Sequence, residues 1–153
     1  MKRPLSHFEA TNPAMQLRGA YLLMHRRFNA VFEPLSLTSD QFVLLSLLRD
    51  AGECTQRELA TRSYADVNTL GAMLHLLEKR KLVRRVPHST DRRAKSVSLT
   101  PKGEQLRAKC EKASLPLLAA LDACFRPRQP ADSTLVQVIQ AMTPEAPPPV
   151  STR

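Results

Sequence analysis

Residues 38–100 set out three short helices followed by two short strands, and few folds accommodate that order. Thr38-Ser39-Asp40-Gln41 has the spacing of a capping box, in which the Thr hydroxyl accepts the amide three residues on and the Gln reaches back to the cap amide. Phe42, Leu45 and Leu48 follow as one apolar face. Ala51-Gly52 closes this helix with the residue that best tolerates a left-handed terminus. Thr55-Gln56-Arg57-Glu58 is a second capping box, opening a short helix around Leu59 and Ala60. Residues 63–65 predict a turn, and Asp66 caps a third helix with Leu70, Leu74 and Leu77 on one side. Two short helices joined by a brief turn form a helix-turn-helix pattern. Residues 82–87 and 95–99 are β-prone, with Val97 and Leu99 alternating with Ser96 and Ser98, and residues 88–94 join them as a polar hairpin tip. A helix-turn-helix followed by a β-hairpin is a winged helix.

The flanks are helical. From Pro13, the residues Leu17, Tyr21, Met24, Phe28 and Val31 recur at three- and four-residue spacing, and Pro34 ends the run. Thr100-Pro101 opens another helix, with Pro in the first turn where its missing N–H costs nothing. Its stripe is Leu106, Cys110, Ala113, Leu117, Leu121 and Cys124, and Pro116 inside it predicts a kink. A last helix is expected over 131–142, with Leu135, Ile139 and Met142 on one side. The expected fold is mainly α with a small β-hairpin wing. It divides into a flexible arm (1–12), an N-terminal dimerisation helix (13–37), a winged helix-turn-helix DNA-binding region (38–99), C-terminal dimerisation helices (100–142) and a disordered tail (143–153).

Composition narrows the partners. Hydrophobic residues make up 42% of the chain but aromatic ones only 5%, with no Trp, which suits helices better than a β-sandwich. The net charge of +9 calls for a polyanion, either nucleic acid or an acidic membrane surface. Distribution favours the former. Lys79, Arg80, Lys81, Arg84, Arg85, Arg92, Arg93 and Lys95, within residues 79–95, are eight of the 23 basic residues, and that stretch holds one acid, Asp91. A membrane-binding segment needs an amphipathic helix with an apolar face, and this stretch is a hairpin. No apolar run approaches the ~20 residues of a membrane span, and residues 1–15 lack the apolar core of a secretory signal. Three cysteines without a CxxC spacing argue against a disulfide framework, so the cytoplasm is the expected address. His7, His25, His75 and His88 are dispersed without metal-ligand spacing, and no motif of catalysis occurs. No metal, cofactor or enzymatic activity is therefore expected.

On the third helix the leucines face inward, which leaves Asn68, Thr69, Ala72, Met73, His75 and Lys79 outward or at the flank. Asn and Thr read base edges in a major groove, and Ala and Met contact thymine methyls. Thr55, Gln56, Ser63, Tyr64 and Arg84 are expected on the DNA backbone. In the hairpin, His88, Ser89, Thr90, Arg92, Arg93 and Lys95 face the duplex. Asp91 is expected to pair with Arg93 and aim its guanidinium toward a minor groove.

The stretch Asp91-Arg92-Arg93-Ala94-Lys95-Ser96-Val97-Ser98-Leu99-Thr100 resembles the DxRxxxxxLT wing signature of the MarR family of regulators. Gln56-Arg57-Glu58-Leu59-Ala60 and Leu76-Leu77-Glu78-Lys79-Arg80-Lys81-Leu82-Val83 are similar to its helix-turn-helix pattern. The resemblance covers about residues 13–142. It implies a six-helix winged domain whose terminal helices intertwine with a twin, a pseudo-palindromic operator, and release by a small molecule. Lys81 departs from it, standing where the family usually has Gly.

The apolar residues of the terminal helices point to a homodimer, because two-fold symmetry matches paired half-sites. The small-molecule effector is expected to be aromatic or anionic, with Tyr21, Met24, His25, Phe28 and Phe42 as candidate lining. Cys110 and Cys124 lie ~21 Å apart along one helix, too far for an internal disulfide. Two rival functions would look different. An enzyme would turn over a substrate, and a winged helix used only for protein contacts would not need this basic surface.

Overall fold

A computed structural model describes residues 5–87, 95–125 and 134–142. The chain divides into two units, residues 1–117 and residues 118–153. The first unit holds α1 (His7–Thr11), α2 (Pro13–Phe32), a 3-10 turn (Glu33–Leu35), α3 (Ser39–Ala51), β1 (Glu53–Thr55), α4 (Gln56–Ser63), α5 (Val67–Lys79), β2 (Val83–Pro87), β3 (Lys95–Leu99) and most of α6 (Pro101–Phe125). The second holds the end of α6 and α7 (Thr134–Met142). The fold is the expected one, mainly helical with a small antiparallel sheet.

Both capping boxes form. The Thr38 hydroxyl accepts from the Gln41 amide at 3.2 Å while Gln41 Oε1 accepts from the Thr38 amide at 3.3 Å. Thr55 and Glu58 repeat this at 3.2 and 2.7 Å. Asp66 caps α5 by accepting from the amides of Asn68 and Thr69. Each cap fixes where its helix begins, because it satisfies amides that have no partner one turn back.

Gly52 takes the left-handed side of backbone space at φ 74. The chain then turns into β1, three residues that sequence periodicity does not reveal. The sheet order is β1-β3-β2, with Cys54 opposite Val97 and Arg85 also opposite Val97 on the other edge. The core beneath it includes Phe32, Leu45, Leu48, Leu59, Leu70, Leu74, Leu77 and Val97, all fully buried.

Other elements depart in detail from what the sequence predicts. Residues 7–11 are helical rather than part of a loose arm. The α2 helix stops at Phe32, and Pro34 sits inside the following 3-10 turn. Pro116 lies inside α6. Cys110 is buried, but Cys124 on the expected stripe is exposed. No single helix among the described residues is long and apolar enough to cross a membrane.

Candidate nucleic-acid interface

Helix α5 has two unlike sides. Leu70, Leu74 and Leu77 are fully buried. Asn68, Thr69, Ala72, His75 and Lys79 are exposed at three- and four-residue spacing, so they line one outward face. Met73 falls between the two, half-buried and packed against the core. Leu76, which lies outside the expected recognition set, is 51% exposed beside His75 and Lys79.

The preceding helix is braced against α5. Gln56 Nε2 donates to the Val67 carbonyl at 3.3 Å, and a methyl placed on Gly71 would stand 3.0 Å from that same nitrogen. Gln56 therefore sets the spacing of the two helices. Thr55 is occupied as a cap, and the Ser63 hydroxyl donates to the Ala60 carbonyl. Tyr64 is 76% exposed, with left-handed backbone at φ 55.

The basic run is only partly free. The Arg80 guanidinium donates to the Ser36 carbonyl and Arg85 to Glu78. Arg84 Nε donates to Ser98 Oγ at 3.0 Å across the β2–β3 pair, with its side chain otherwise exposed. Lys79, Lys81 and Lys95 are exposed. His88, Ser89, Thr90, Asp91, Arg92 and Arg93 lie outside the described residues.

Glu78 titrates below the usual carboxylate range, chiefly because Arg85 hydrogen-bonds to it. Cys54 and Cys110 both have raised pKa values because burial disfavours the thiolate, so neither is poised as a reactive thiolate. Among the described residues no three His, Cys, Asp or Glu side chains converge as a metal site.

The five candidate effector residues separate. Phe28, Phe32 and Phe42 stack in the core, with Phe32 and Phe42 ring centroids 4.9 Å apart and Phe28 and Phe32 5.8 Å apart. Met24 is half-buried on α2. Tyr21 and His25 stay together at 5.6 Å. Tyr21 lines a cavity of about 220 Å³ with Asp40 of α3, Tyr64 and Asp66 of the α4–α5 turn, and Thr69 and Met73 of α5.

His25 contacts two residues that line this cavity, Tyr21 and Asp40. Asn29 Oδ1 accepts from the Ser39 amide at 2.7 Å, so its Nδ2 must be the atom facing His25 Nδ1 at 3.1 Å. Nδ1 then accepts, and the imidazole proton on Nε2 is donated to Asp40 at 3.1 Å. This chain of bonds ties α2 to the start of α3. A second, wider groove of about 800 Å³ is lined by Ala30, Glu33, Leu37, Leu76, Lys79 and others.

An outward-facing helix held by a second short helix, with a basic β-hairpin beside it, is the arrangement of a winged helix-turn-helix transcriptional regulator. The MarR family model matches residues 37–95. The transcriptional repressor NicR of Pseudomonas putida is 38% identical over 94 residues, which span 59% of this chain and 57% of NicR. Among solved structures, the repressor CouR bound to a 23-mer DNA duplex superposes with a TM-score of 0.77 at 26% identity, covering 93% of this chain and 100% of CouR. BpsR of Bordetella bronchiseptica, whose DNA binding is regulated by 6-hydroxynicotinic acid, matches with a TM-score of 0.71 at 26% identity, covering 94% of this chain and 100% of BpsR. Residues 37–95 thus resemble the MarR family in sequence, and the fold they sit in is that of its solved members.

Proposed function

We propose that this protein is a cytoplasmic homodimeric repressor that grips a pseudo-palindromic duplex with α5 and the wing of each protomer, and lets go when a small aromatic molecule binds. The observation that carries this reading is the exposed face of α5, polar at Asn68, Thr69 and His75 and cationic at Lys79, standing next to the basic β2–β3 pair. Asn68 and Thr69 lie at the N-terminal end of α5, the part of a recognition helix that enters the major groove most deeply. Ala72 meets thymine methyls; Met73 has a smaller share because it packs inward. Arg93, aimed by Asp91, enters the flanking minor groove. His88, Ser89, Thr90, Arg92, Lys95, Tyr64 and Arg84 hold the backbone. Thr55, Gln56 and Ser63 serve mainly by fixing α4, since their side chains are already bonded within the protein.

The effector is assigned to the cavity at Tyr21, because that cavity touches α2, α3 and α5 at once. Tyr21, Tyr64 and Met73 favour an aromatic ring. Among the described residues the ionisable groups on its wall are Asp40 and Asp66 beside the two tyrosines, a lining that favours a neutral ring over an anion. A ligand acts only if it prefers one spacing of the two recognition helices over another.

Selection of bound duplexes from a random pool, with footprinting at two salt concentrations, tests the reading. It should return inverted half-sites ~34–36 Å apart or a multiple of that, with affinity falling steeply as salt rises. Recovery of no preferred duplex, or a salt-independent interaction, would reject it.

A further inference from the structure

Helix α5 passes into β2 through residues 80–82, a joint whose middle residue, Lys81, has φ 58. So short a link limits the angle between recognition helix and wing but does not fix it. The Leu82 amide donates to the Leu77 carbonyl at 2.9 Å and Leu82 and Val83 are buried in the core, and two sets of side-chain and α6 contacts add to this. On one side the first turn of α6 holds the joint itself: the Thr100 amide donates to the Leu82 carbonyl at 3.1 Å, Lys102 Nζ donates to the Arg80 carbonyl at 3.0 Å, and Gly103 packs directly on Leu82. Among the described residues an ion pair also spans from helix to strand. Glu78, in the last turn of α5, accepts on Oε2 from Arg85 Nε at 2.9 Å and Nη2 at 2.5 Å, and Arg85 stands mid-strand in β2. The Arg85 side chain is only 17% exposed. Successive strand residues point to opposite faces, so the neighbouring Arg84 turns away to Ser98 and takes no part.

We propose that the Glu78–Arg85 bridge is a positioning device that sets the pose of the wing relative to the recognition helix, and so determines how far the protein prefers its own operator over other duplexes. The inference rests on the DNA-binding reading above. Its physical basis is preorganisation. Two contacts on a rigid duplex reinforce one another only when the distance between them is already set, and any freedom left in the protein is lost on binding. The guanidinium fork suits the task because two N–H groups on one carboxylate oxygen define a direction as well as a distance. Pairing Arg85 with Glu78 has a second effect. It withholds one cation from the general attraction between this basic surface and any phosphate chain, and that attraction carries no sequence information.

These two effects give the bridge a signature that a purely stabilising contact lacks. Glu78→Ala loosens the wing and at the same time frees Arg85, so specific binding should weaken while binding to a scrambled duplex should hold or strengthen. Affinities would be measured for wild type, Glu78→Ala, Arg85→Lys and the charge-swapped double variant Glu78→Arg/Arg85→Glu. Each is tested on the selected duplex and on its scrambled counterpart, with circular dichroism to show that each variant is folded. The ratio of the two affinities should fall about tenfold in Glu78→Ala, the equivalent of one mispaired position in a site. It should fall in Arg85→Lys, which keeps the charge but loses the fork, and recover in the double variant. An unchanged ratio in folded Glu78→Ala or Arg85→Lys would overturn the positioning role and leave the DNA-binding reading intact. If Glu78→Ala does not fold, the fall in Arg85→Lys and its recovery in the double variant decide the question. A wild-type protein that discriminates no duplex would overturn both.

Discussion

The joint after α5 and the first half of α2 are opposite cases of how a small helical protein uses its surface. At the joint, residues 80–82 are held by Thr100, Lys102 and Gly103 on one side and by the Glu78–Arg85 bridge on the other. Along α2 the apolar residues are left open: Leu17 is 41% exposed, Tyr21 53% and Leu23 62%, and only Phe32 at the far end is buried. One region is complete within a single chain. The other carries apolar surface that a monomer does not cover, which is what a helix contributed to an interface looks like before its partner is present.

Four experiments sharpen or break that contrast. The largest effect is expected from Gly103→Ala, because the added methyl would stand 2.0 Å from the Leu82 carbonyl oxygen and 2.8 Å from Leu99 Cδ1. The backbone must shift, at a cost of about 3 kcal/mol, read as a lower urea midpoint. An unchanged midpoint would mean that the joint is looser than its contacts indicate. Next, Leu23→Asp should leave the helical content of each protomer intact and raise the dimer dissociation constant about tenfold or more in sedimentation experiments, since it puts charge into an apolar contact. A dimer of unchanged affinity would remove this part of α2 from the interface.

A smaller gain is expected from Lys81→Gly. Lys81 pays for its left-handed backbone, φ 58, and glycine there relieves the clash while adding some freedom to the unfolded chain. The net should be about 0.5 kcal/mol of added stability, and a loss instead would show that the Lys81 side chain contributes more than its backbone costs. The smallest effect concerns pH. Glu78 has a folded-state pKa below its ordinary value of 4.5, so its bridge stabilises the protein above that pH. The contribution disappears as pH falls through the lowered folded value. With the carboxylate 37% exposed, it amounts to about 0.5 kcal/mol. The stability gap between wild type and Glu78→Gln should therefore narrow below pH 4.5, and a gap independent of pH would assign it to packing.

Much of the architecture was legible because its signals are local. A capping box is read from two residues three apart, and both boxes and the Asp66 cap sit where that spacing puts them. Strand β1 carries no such signal. Its three residues, Glu53-Cys54-Thr55, are extended only because β3 lies beside them. The left-handed backbone of Tyr64 is equally silent, since no glycine marks it. Periodicity on α2 identified an apolar stripe but could not divide it, and the same spacing that puts Phe28 in the core leaves Tyr21 at a cavity. The exposed face of α5 followed from its buried leucines. The Glu78–Arg85 pair did not, because the chain reverses between the two residues and only the fold brings them together.

Thr69 belongs to two surfaces at once, the outward face of α5 and the wall of the cavity at Tyr21. Under the function proposed here, any mutation at this position alters the operator preference and the inducer preference in one step. A descendant of this gene could not drift toward a new target sequence through residue 69 while keeping its old signal untouched. Paralogues that diverge there should change both properties together, whereas those that diverge at Asn68 or Ala72 are free to change the first alone.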